Sequence, residues 1–288
     1  MGGQGLGWWS EIDPVTALLV LAGGWAFFHT ARRLGAGLTS RQRWALVGAG
    51  MACYLGFGGP LEVLDHRLLA AYLLQSTLLS MVAAPLLLVA TPPRLASRVL
   101  SGPLTEGWRI LTRPVAAIVL FTGVLSVPLV PSVYDRVLEA GSLGLLADHL
   151  ALTVTAVGLW WPVLSPHPAL PRLHPGLQLL YLFLAGIPMI LPQALITLAG
   201  TPLYPAYHAV PPLFGLSRVG DQQLGGGIAL LGMHLGLGAA FVYAFRAWLH
   251  QERRAGRIPT PPPPLTVIRP DTGERRPVRP RSSRSSSR

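Results

Sequence analysis

The chain has 288 residues, of which 51% are hydrophobic and 12% are charged, whereas a typical soluble domain is about 25% charged. Together with a mean hydropathy of +0.46, this composition predicts an integral membrane protein and excludes an ordinary soluble domain. The formal net charge of +11 does not indicate nucleic-acid binding, because 10 of the 23 arginines lie from Arg253 onward and the others mark the ends of apolar runs.

Two features that the sequence lacks exclude further kinds of site and segment. Cys53 is the single cysteine, so the sequence offers neither a disulfide framework nor a paired-cysteine metal clip. The residues before the first apolar run contain no basic stretch, which argues against a cleavable signal peptide and predicts that this run is retained as a membrane span.

Seven apolar runs are long enough to cross a bilayer as helices, which takes about 20 mainly apolar residues each. In chain order they occupy residues 14–31, 43–59, 68–90, 114–131, 143–164, 177–199 and 225–248. None of them alternates polar and apolar residues as a transmembrane β-barrel requires. The sequence therefore predicts an all-α bundle of seven transmembrane helices, called spans one to seven.

The spans divide the chain into three regions. Residues 1–13 form an outer N-terminal segment, residues 14–250 form the membrane domain, and residues 251–288 form a tail. The tail is rich in proline, arginine and serine, cannot bury a core, and is predicted to be disordered.

Arginine concentrates in every second loop. The arginines after spans one and three are Arg32, Arg33, Arg41, Arg43, Arg94, Arg98, Arg109 and Arg113. The tail after span seven is also rich in arginine, whereas the loops on the opposite side carry one arginine each. Because cytoplasmic loops carry the excess of basic residues, we expect the N-terminus outside and the C-terminus in the cytoplasm.

With this orientation, polar residues gather toward the outer leaflet. They are Tyr72, Gln75 and Ser76 in span three, Asp148 and His149 in span five, and Asp221, Gln222 and Gln223 at the mouth of span seven. His234 lies nearer the middle of span seven. A charge costs about 2.5–3.5 kcal/mol at the bilayer centre and less near the interface, so the outer position lowers the cost of Asp148.

The Asp148-His149 pair has two interpretations from its residues alone. His149 could be a ligand for a metal or a proton. Alternatively, His149 could hydrogen bond to a neighbouring helix while Asp148 caps the N-terminus of its own helix. The sequence leaves both open.

Other candidate ligands are weaker. Met51 and Cys53 are soft donors suited to Cu(I), but their spacing places them on different helix faces, so packing roles are expected. The six other histidines lie in loops or at helix ends and are expected to be solvated: His29, His66, His167, His174, His208 and His250. No catalytic motif is present in the sequence, so we expect no enzymatic activity.

Four segments together resemble a known family. They read YLLQSTLLSMVAAPLLLVATP at 72–92, PSVYDRVLEAGSLGLLADHLALTVTAVGLWWPVL at 131–164, YLFLAGIPMILPQALITLAGTPLYPAY at 181–207, and GLSRVGDQQLGGGI at 215–228. Their order and spacing resemble the CtaG family of cytochrome c oxidase assembly factors, the type associated with caa(3)-type oxidases. The resemblance runs from about residue 55 to residue 248.

This chain departs from the family pattern at its histidines. The two histidines of the family segment HMxQHMLL fall on Tyr72 and Ser76, and only the intervening Gln75 is kept. The family segment HxxEH loses its first histidine here, and its Glu-His becomes Asp148-His149.

The resemblance implies a metal site and names its candidates. His149 and Asp148 are the candidate metal ligands, and His234 or Met233 could substitute for a missing histidine, although the spacing does not demand either. The other positions that match family motifs are Tyr72, Gln75, Ser76, Asp221, Gln222 and Gln223. Copper is the candidate cofactor, although one imidazole and one carboxylate make a poor Cu(I) site, which prefers several soft or imidazole donors.

The resemblance also implies a function. The chain would be a multi-pass protein of a bacterial plasma membrane that helps a haem–copper oxidase to mature, by copper delivery or by subunit maturation at the outer face. Its partners would be oxidase subunits or a copper carrier, within the lipid bilayer. Two alternatives stay open: a transporter of copper or another small solute, and a scaffold paralogue that binds no metal.

Overall fold

The computed structural model describes residues 13–207, 211 and 213–256, and this part of the chain is helical and contains no strand. The helices are α1 Pro14–Arg33, α2 Ser40–Phe57, α3 Gly59–Asp65, α4 Leu69–Leu78, α5 Ala84–Ala90, α6 Pro93–Val99, α7 Pro103–Leu111, α8 Pro114–Ser126, α9 Pro131–Glu139, α10 Gly141–Leu164, α11 Pro175–Leu198 and α12 Arg218–Arg254. The prediction of an all-α membrane protein is confirmed. The predicted N-terminal segment, apart from Asp13, and most of the predicted disordered tail lie outside the described residues.

Local sequence signals explain where the helices begin. Six of them start at a proline, whose fixed φ and missing N–H suit the first helical position. The side chain of Asp13 caps α1 by accepting hydrogen bonds from the N–H groups of Val15 and Thr16. Thr39 and Gln42 form a reciprocal capping box at the start of α2, which satisfies two N–H groups that have no partner within the helix.

The third span is the central helix of the bundle. It runs through α4, a π-helical turn at Leu79–Ala83, and α5. Of its most apolar 18-residue window, 61% is buried inside the protein, more than in any other candidate span among the described residues. The indole N–H of Trp160 on α10 donates to the carbonyl of Ser80 in the π-helical turn, at 2.7 Å. The irregular turn is therefore fixed by a hydrogen bond from a neighbouring span.

Glycines bring α12 close to this central helix. A Cβ atom on Gly225 would lie 2.8 Å from Cα of Ala70, and one on Gly232 would lie 2.6 Å from the Thr77 methyl group. Small residues allow transmembrane helices to approach closely and gain packing energy. Gly225 and Gly232 therefore allow α12 to lie close against the third span.

The fourth span differs from its prediction. A continuous helix at 114–131 was expected, but α8 ends at Ser126 and has 13 residues. At 1.5 Å per residue it is about 20 Å long, shorter than the hydrocarbon core of about 30 Å. The preceding helix α7 meets it at 77°, because Pro114 interrupts the helix after Leu111.

The count of spans follows from this bend. Six helical segments are long and apolar enough to cross a membrane, and the described residues contain a seventh only if α7 and α8 count as one bent span. The other spans lie within a few residues of their predicted positions, except that α12 extends well beyond 225–248 at both ends.

One end of the bundle brings several helix termini together, and we call it the Asp13 end. There the start of α1 meets the break after α2, since a Cβ on Gly58 would lie 2.9 Å from the Asp13 carboxylate. The start of α12 meets the start of α4 through Asp221, whose carboxylate accepts the N–H groups of Leu69 at 2.9 Å and Ala70 at 3.1 Å. Asp221 therefore caps a helix from a distant part of the chain.

Removing this distant cap should destabilise the bundle. Asp221→Ala leaves two buried N–H groups at the start of α4 without a partner, so we expect the free energy of unfolding to fall by about 2–4 kcal/mol. Equilibrium unfolding in mixed micelles measures the change. Gln223→Ala, on the exposed side of the same helix turn, is the matched control and should change stability by less than about 1 kcal/mol. Equal losses in both variants would contradict the capping role.

Candidate functional site

Two glutamines beside Asp221 tie α12 to the loop that follows α11. The side chain of Gln222 accepts the N–H of Leu203 at 2.8 Å and donates to the carbonyls of Ile196 and Thr201. The side chain of Gln223 donates to the carbonyl of Ala199 at 3.3 Å. The three polar residues of the DQQ segment thus bind backbone groups, and the geometry gives them a structural role.

Asp148 is paired with a tyrosine of the central helix. The Tyr72 hydroxyl donates a hydrogen bond of 2.8 Å to the Asp148 carboxylate. Because α10 begins at Gly141, Asp148 lies two turns inside the helix, so the interpretation of Asp148 as a helix cap is wrong. Ser76, one turn further along the central helix, donates to the carbonyl of Tyr72 and stays within its own helix.

His149 packs between aromatic rings. Its ring stacks on Tyr72, with the centroids 5.4 Å apart and the planes at 24°, and meets the edge of Phe57 on α2. The side chain is 3% exposed, and its Nε2 atom has no hydrogen-bond partner within the described residues. The expected hydrogen bond to a neighbouring helix is therefore not made by Nε2.

A cluster of tyrosines continues from Tyr72 toward the loop after α11. Tyr134 packs against Tyr72 at 4.9 Å between centroids, and its hydroxyl lies 2.6 Å from that of Tyr207. The Tyr207 hydroxyl in turn donates to the carbonyl of Asp65 at 2.7 Å. Burial raises the pKa of Tyr207, so this hydroxyl stays protonated and keeps its role as a donor.

A cavity of about 620 Å³ lies between α1, α2 and α10 at the Asp13 end. Its long wall is apolar and follows α1 from Asp13 to Phe27. Its polar end is formed by Asp13, Glu62, Asp65, His66, Gln75 and His149. Cys53 also lines the cavity, whereas Met51 on the same helix is 64% exposed. The two soft donors therefore face different ways, as their spacing predicts.

Two buried side chains in this cavity have unused hydrogen-bonding capacity. Gln75 is 1% exposed, and neither its Oε1 atom nor Nε2 of His149 finds a partner within the described part of the chain. A buried polar atom without a partner costs about 1–3 kcal/mol. Within the described residues, these two atoms are therefore uncompensated.

An ion pair that was not predicted from the sequence lies at the polar end. His66 is exposed, as expected, but its Nδ1 also lies 2.6 Å from the carboxylate of Asp65 and 3.1 Å from the carbonyl of Glu62. The hydrogen bond to Asp65 raises the pKa of His66 to about 9, so the imidazole is charged at neutral pH. A repeated Asp-His dipeptide, at 65–66 and again at 148–149, was the available signal.

His234 does not line this cavity. Its ring nitrogens lie near the carbonyls of Leu230 and Gly186, and it lines a separate groove between α11 and α12. Within the described residues, no group of three His, Cys, Asp or Glu side chains is placed to hold a metal ion. The structure therefore does not bring His149, Asp148 and His234 together.

Comparison with known proteins gave one match. The family model described as cytochrome c oxidase caa3 assembly factor (Caa3_CtaG) matches residues 17–251. A search of curated proteins and a search of solved structures found no match. The family match covers most of the chain and confirms the resemblance seen in the four sequence segments.

The Tyr72–Asp148 hydrogen bond should be measurable as a coupling energy. In a double-mutant cycle with Tyr72→Phe and Asp148→Leu, we expect about 1.5–3 kcal/mol, the range for a hydrogen bond to a charged group. Unfolding in mixed micelles supplies the four free energies. Tyr204→Phe serves as the control partner, since its hydroxyl donates to the carbonyl of Leu129 instead. A coupling no larger than that of the control would refute the pairing.

The Asp65–His66 pair should make stability depend on pH. The pKa of His66 is raised from 6.5 to about 9, so the stabilisation is fully present below about pH 6.5 and is lost as the pH rises through about 9. Melting temperatures of the protein and of His66→Gln, measured from pH 6 to pH 10, test this. We expect the two curves to converge above pH 9. A constant difference across the range would mean that His66 stabilises the fold without its charge.

Proposed function

The chain belongs to the cytochrome c oxidase caa3 assembly factor family, and on that premise we propose that it acts as a scaffold in the maturation of a haem–copper oxidase. Its partners are oxidase subunits, which it contacts at the outer face of a bacterial plasma membrane. The observation that carries this proposal is how the polar residues of the family motifs are used. Most of them bind other parts of the same chain.

The donor set does not fit a resident copper ion. Among the cavity residues, His149 supplies one imidazole and Cys53 one thiol, and the remaining groups that could bind a metal are carboxylates and the charged His66. Cu(I) prefers several soft or imidazole donors around one point, and the described residues provide no such group of three. The proposed scaffold therefore acts without holding copper itself.

The distribution of charge supports an outer position for the cavity. Arg32 and Arg33 lie in the last turn of α1, some 20 residues from the acidic cavity residues at its start. Arg94 lies at the same far end, where its guanidinium donates to the carbonyl of Gly35 at 2.8 Å. Because arginine favours the cytoplasmic side, the Asp13 end and its cavity face outward.

The test is oxidase maturation in membranes of a deletion strain. We expect oxidase activity and the reduced-minus-oxidised haem spectrum to be lost, and added copper not to restore them. Complementation with His149→Ala should be impaired, because the change opens the aromatic packing between Tyr72 and Phe57 at the cavity. The matched control is His250→Ala, an exposed histidine at the end of α12, which should complement fully.

Two other outcomes would contradict the scaffold. Rescue of the deletion strain by copper would place the protein in copper delivery. Unchanged oxidase activity with and without copper would count against a role in this oxidase and favour transport of a solute.

A further inference from the structure

We propose that the cavity at the Asp13 end binds a bilayer amphiphile whose head is a primary ammonium group, as in an aminophospholipid. The apolar chain would lie along α1, and the head would sit among the carboxylates at the polar end. This inference goes beyond the proposed function and does not depend on it.

The dimensions of the cavity fit a slender chain. It follows α1 from Asp13 to Phe27, which is about 21 Å at 1.5 Å per residue. The lining along that length is mainly apolar, so an extended acyl chain would meet apolar side chains there. The length and the apolar wall of the cavity therefore suit an acyl chain.

Glycines on α1 leave space in this cavity. Gly23 and Gly24 both line the cavity, and no atom lies within 4 Å of a Cβ built on either residue. Glycine lowers the stability of a helix interior by about 0.5–1 kcal/mol relative to alanine. Two adjacent glycines in the wall of the cavity therefore favour a bound ligand that occupies the free space beside them.

The polar end carries an excess of negative charge. Asp13, Glu62 and Asp65 supply three carboxyl groups, against the single cation of His66, and no arginine is found among the cavity residues that the structure describes. Asp13 and Asp65 are both close enough to act electrostatically on Glu62. Hydrogen bonds from Thr16 hold the pKa of Asp13 below its usual value, so Asp13 is ionised. The charge favours a cationic head.

The unpartnered atoms favour a head with several N–H donors. An ammonium group has three donors and no acceptor. Oε1 of Gln75 would accept such a bond, and so would Nε2 of His149 in the tautomer protonated at Nδ1, once the two side chains turn toward the cavity, because both atoms are covered in the structure. Both side chains are more than nine-tenths buried and line the cavity. An ammonium head would therefore supply hydrogen bonds to groups that lack them within the described residues.

The cavity can be reached from the bilayer. Leu143, Leu146 and Leu150 of α10 line it and are exposed, as are Val15 and Leu19 of α1. Helix α1 packs against α2 and α6, and its most apolar window is only 6% buried. Because α1 is little buried and the rim of the cavity is apolar and exposed, an acyl chain can enter the cavity laterally from the bilayer.

The test uses the purified full-length chain and two lipids with identical acyl chains, phosphatidylethanolamine and phosphatidylglycerol. Native mass spectrometry after partial delipidation counts the lipids that stay bound. We expect phosphatidylethanolamine to be retained in preference to phosphatidylglycerol. Glu62→Gln removes a carboxylate without changing shape, and the loss of one charge-assisted hydrogen bond should weaken that preference about tenfold.

The second variant fills the cavity with a larger side chain. Gly24→Leu should abolish retention of either lipid, whereas Gly123→Leu, at a glycine of α8 that also has free space, should not. Cys53, the only cysteine, adds a readout in solution, because a bound lipid should slow its reaction with a maleimide.

Three results would overturn the proposal. One is equal retention of the two lipids, and another is equal loss of binding in Gly24→Leu and Gly123→Leu. The third is retention of neither lipid together with crosslinking of Cys53 to a lysine-bearing transmembrane peptide, which would assign the cavity to a protein partner. Melting curves of every variant verify folding, and Glu62→Gln keeps the test valid if Gly24→Leu does not fold.

Discussion

Inside a bilayer, water does not compensate a polar group, so each one must find a partner within the protein. The central helix from Leu69 to Ala90 shows how this constraint organises the bundle. Its first N–H groups are satisfied by Asp221 of α12, its Tyr72 by Asp148 of α10, and its carbonyl at Ser80 by Trp160. Each of these bonds joins a different depth of the same helix to another span.

Features that depend on neighbouring residues could be predicted from the sequence, whereas contacts between distant residues could not. Apolar length and arginine content locate most spans, because those signals are local in the chain. The early end of the fourth span could be suspected from Pro128, two residues after the end of α8, and the break before it from Pro114, but the sequence does not give the angle of 77° between α7 and α8. The Tyr72–Asp148 bond joins residues 76 positions apart, and no periodicity indicates that contact. Only the fold brings the two residues together.

The departures from the family pattern form one set. Tyrosine stands where a family histidine is expected, and its hydroxyl reaches the aspartate that replaces the family glutamate. A tyrosine donor and a shorter carboxylate make a neutral-to-charged hydrogen bond, whereas two histidines and a glutamate would supply metal ligands. In this chain, the side chains of Tyr72 and Asp148 form a structural link between the central helix and α10. The His149 ring stacks on Tyr72, and its Nε2 has no partner among the described residues.

The cavity beside this link is lined at its polar end by carboxylates and hydrogen-bonding side chains. Among the described residues, Oε1 of Gln75 and Nε2 of His149 have no hydrogen-bond partner. These groups suit a ligand that donates hydrogen bonds. They suit a soft metal ion less well. The wall that closes the cavity, α1, is also the least buried span among those described. The proposed lipid would therefore exchange with the bilayer without unpacking the central helix, whose partners lie on α10 and α12.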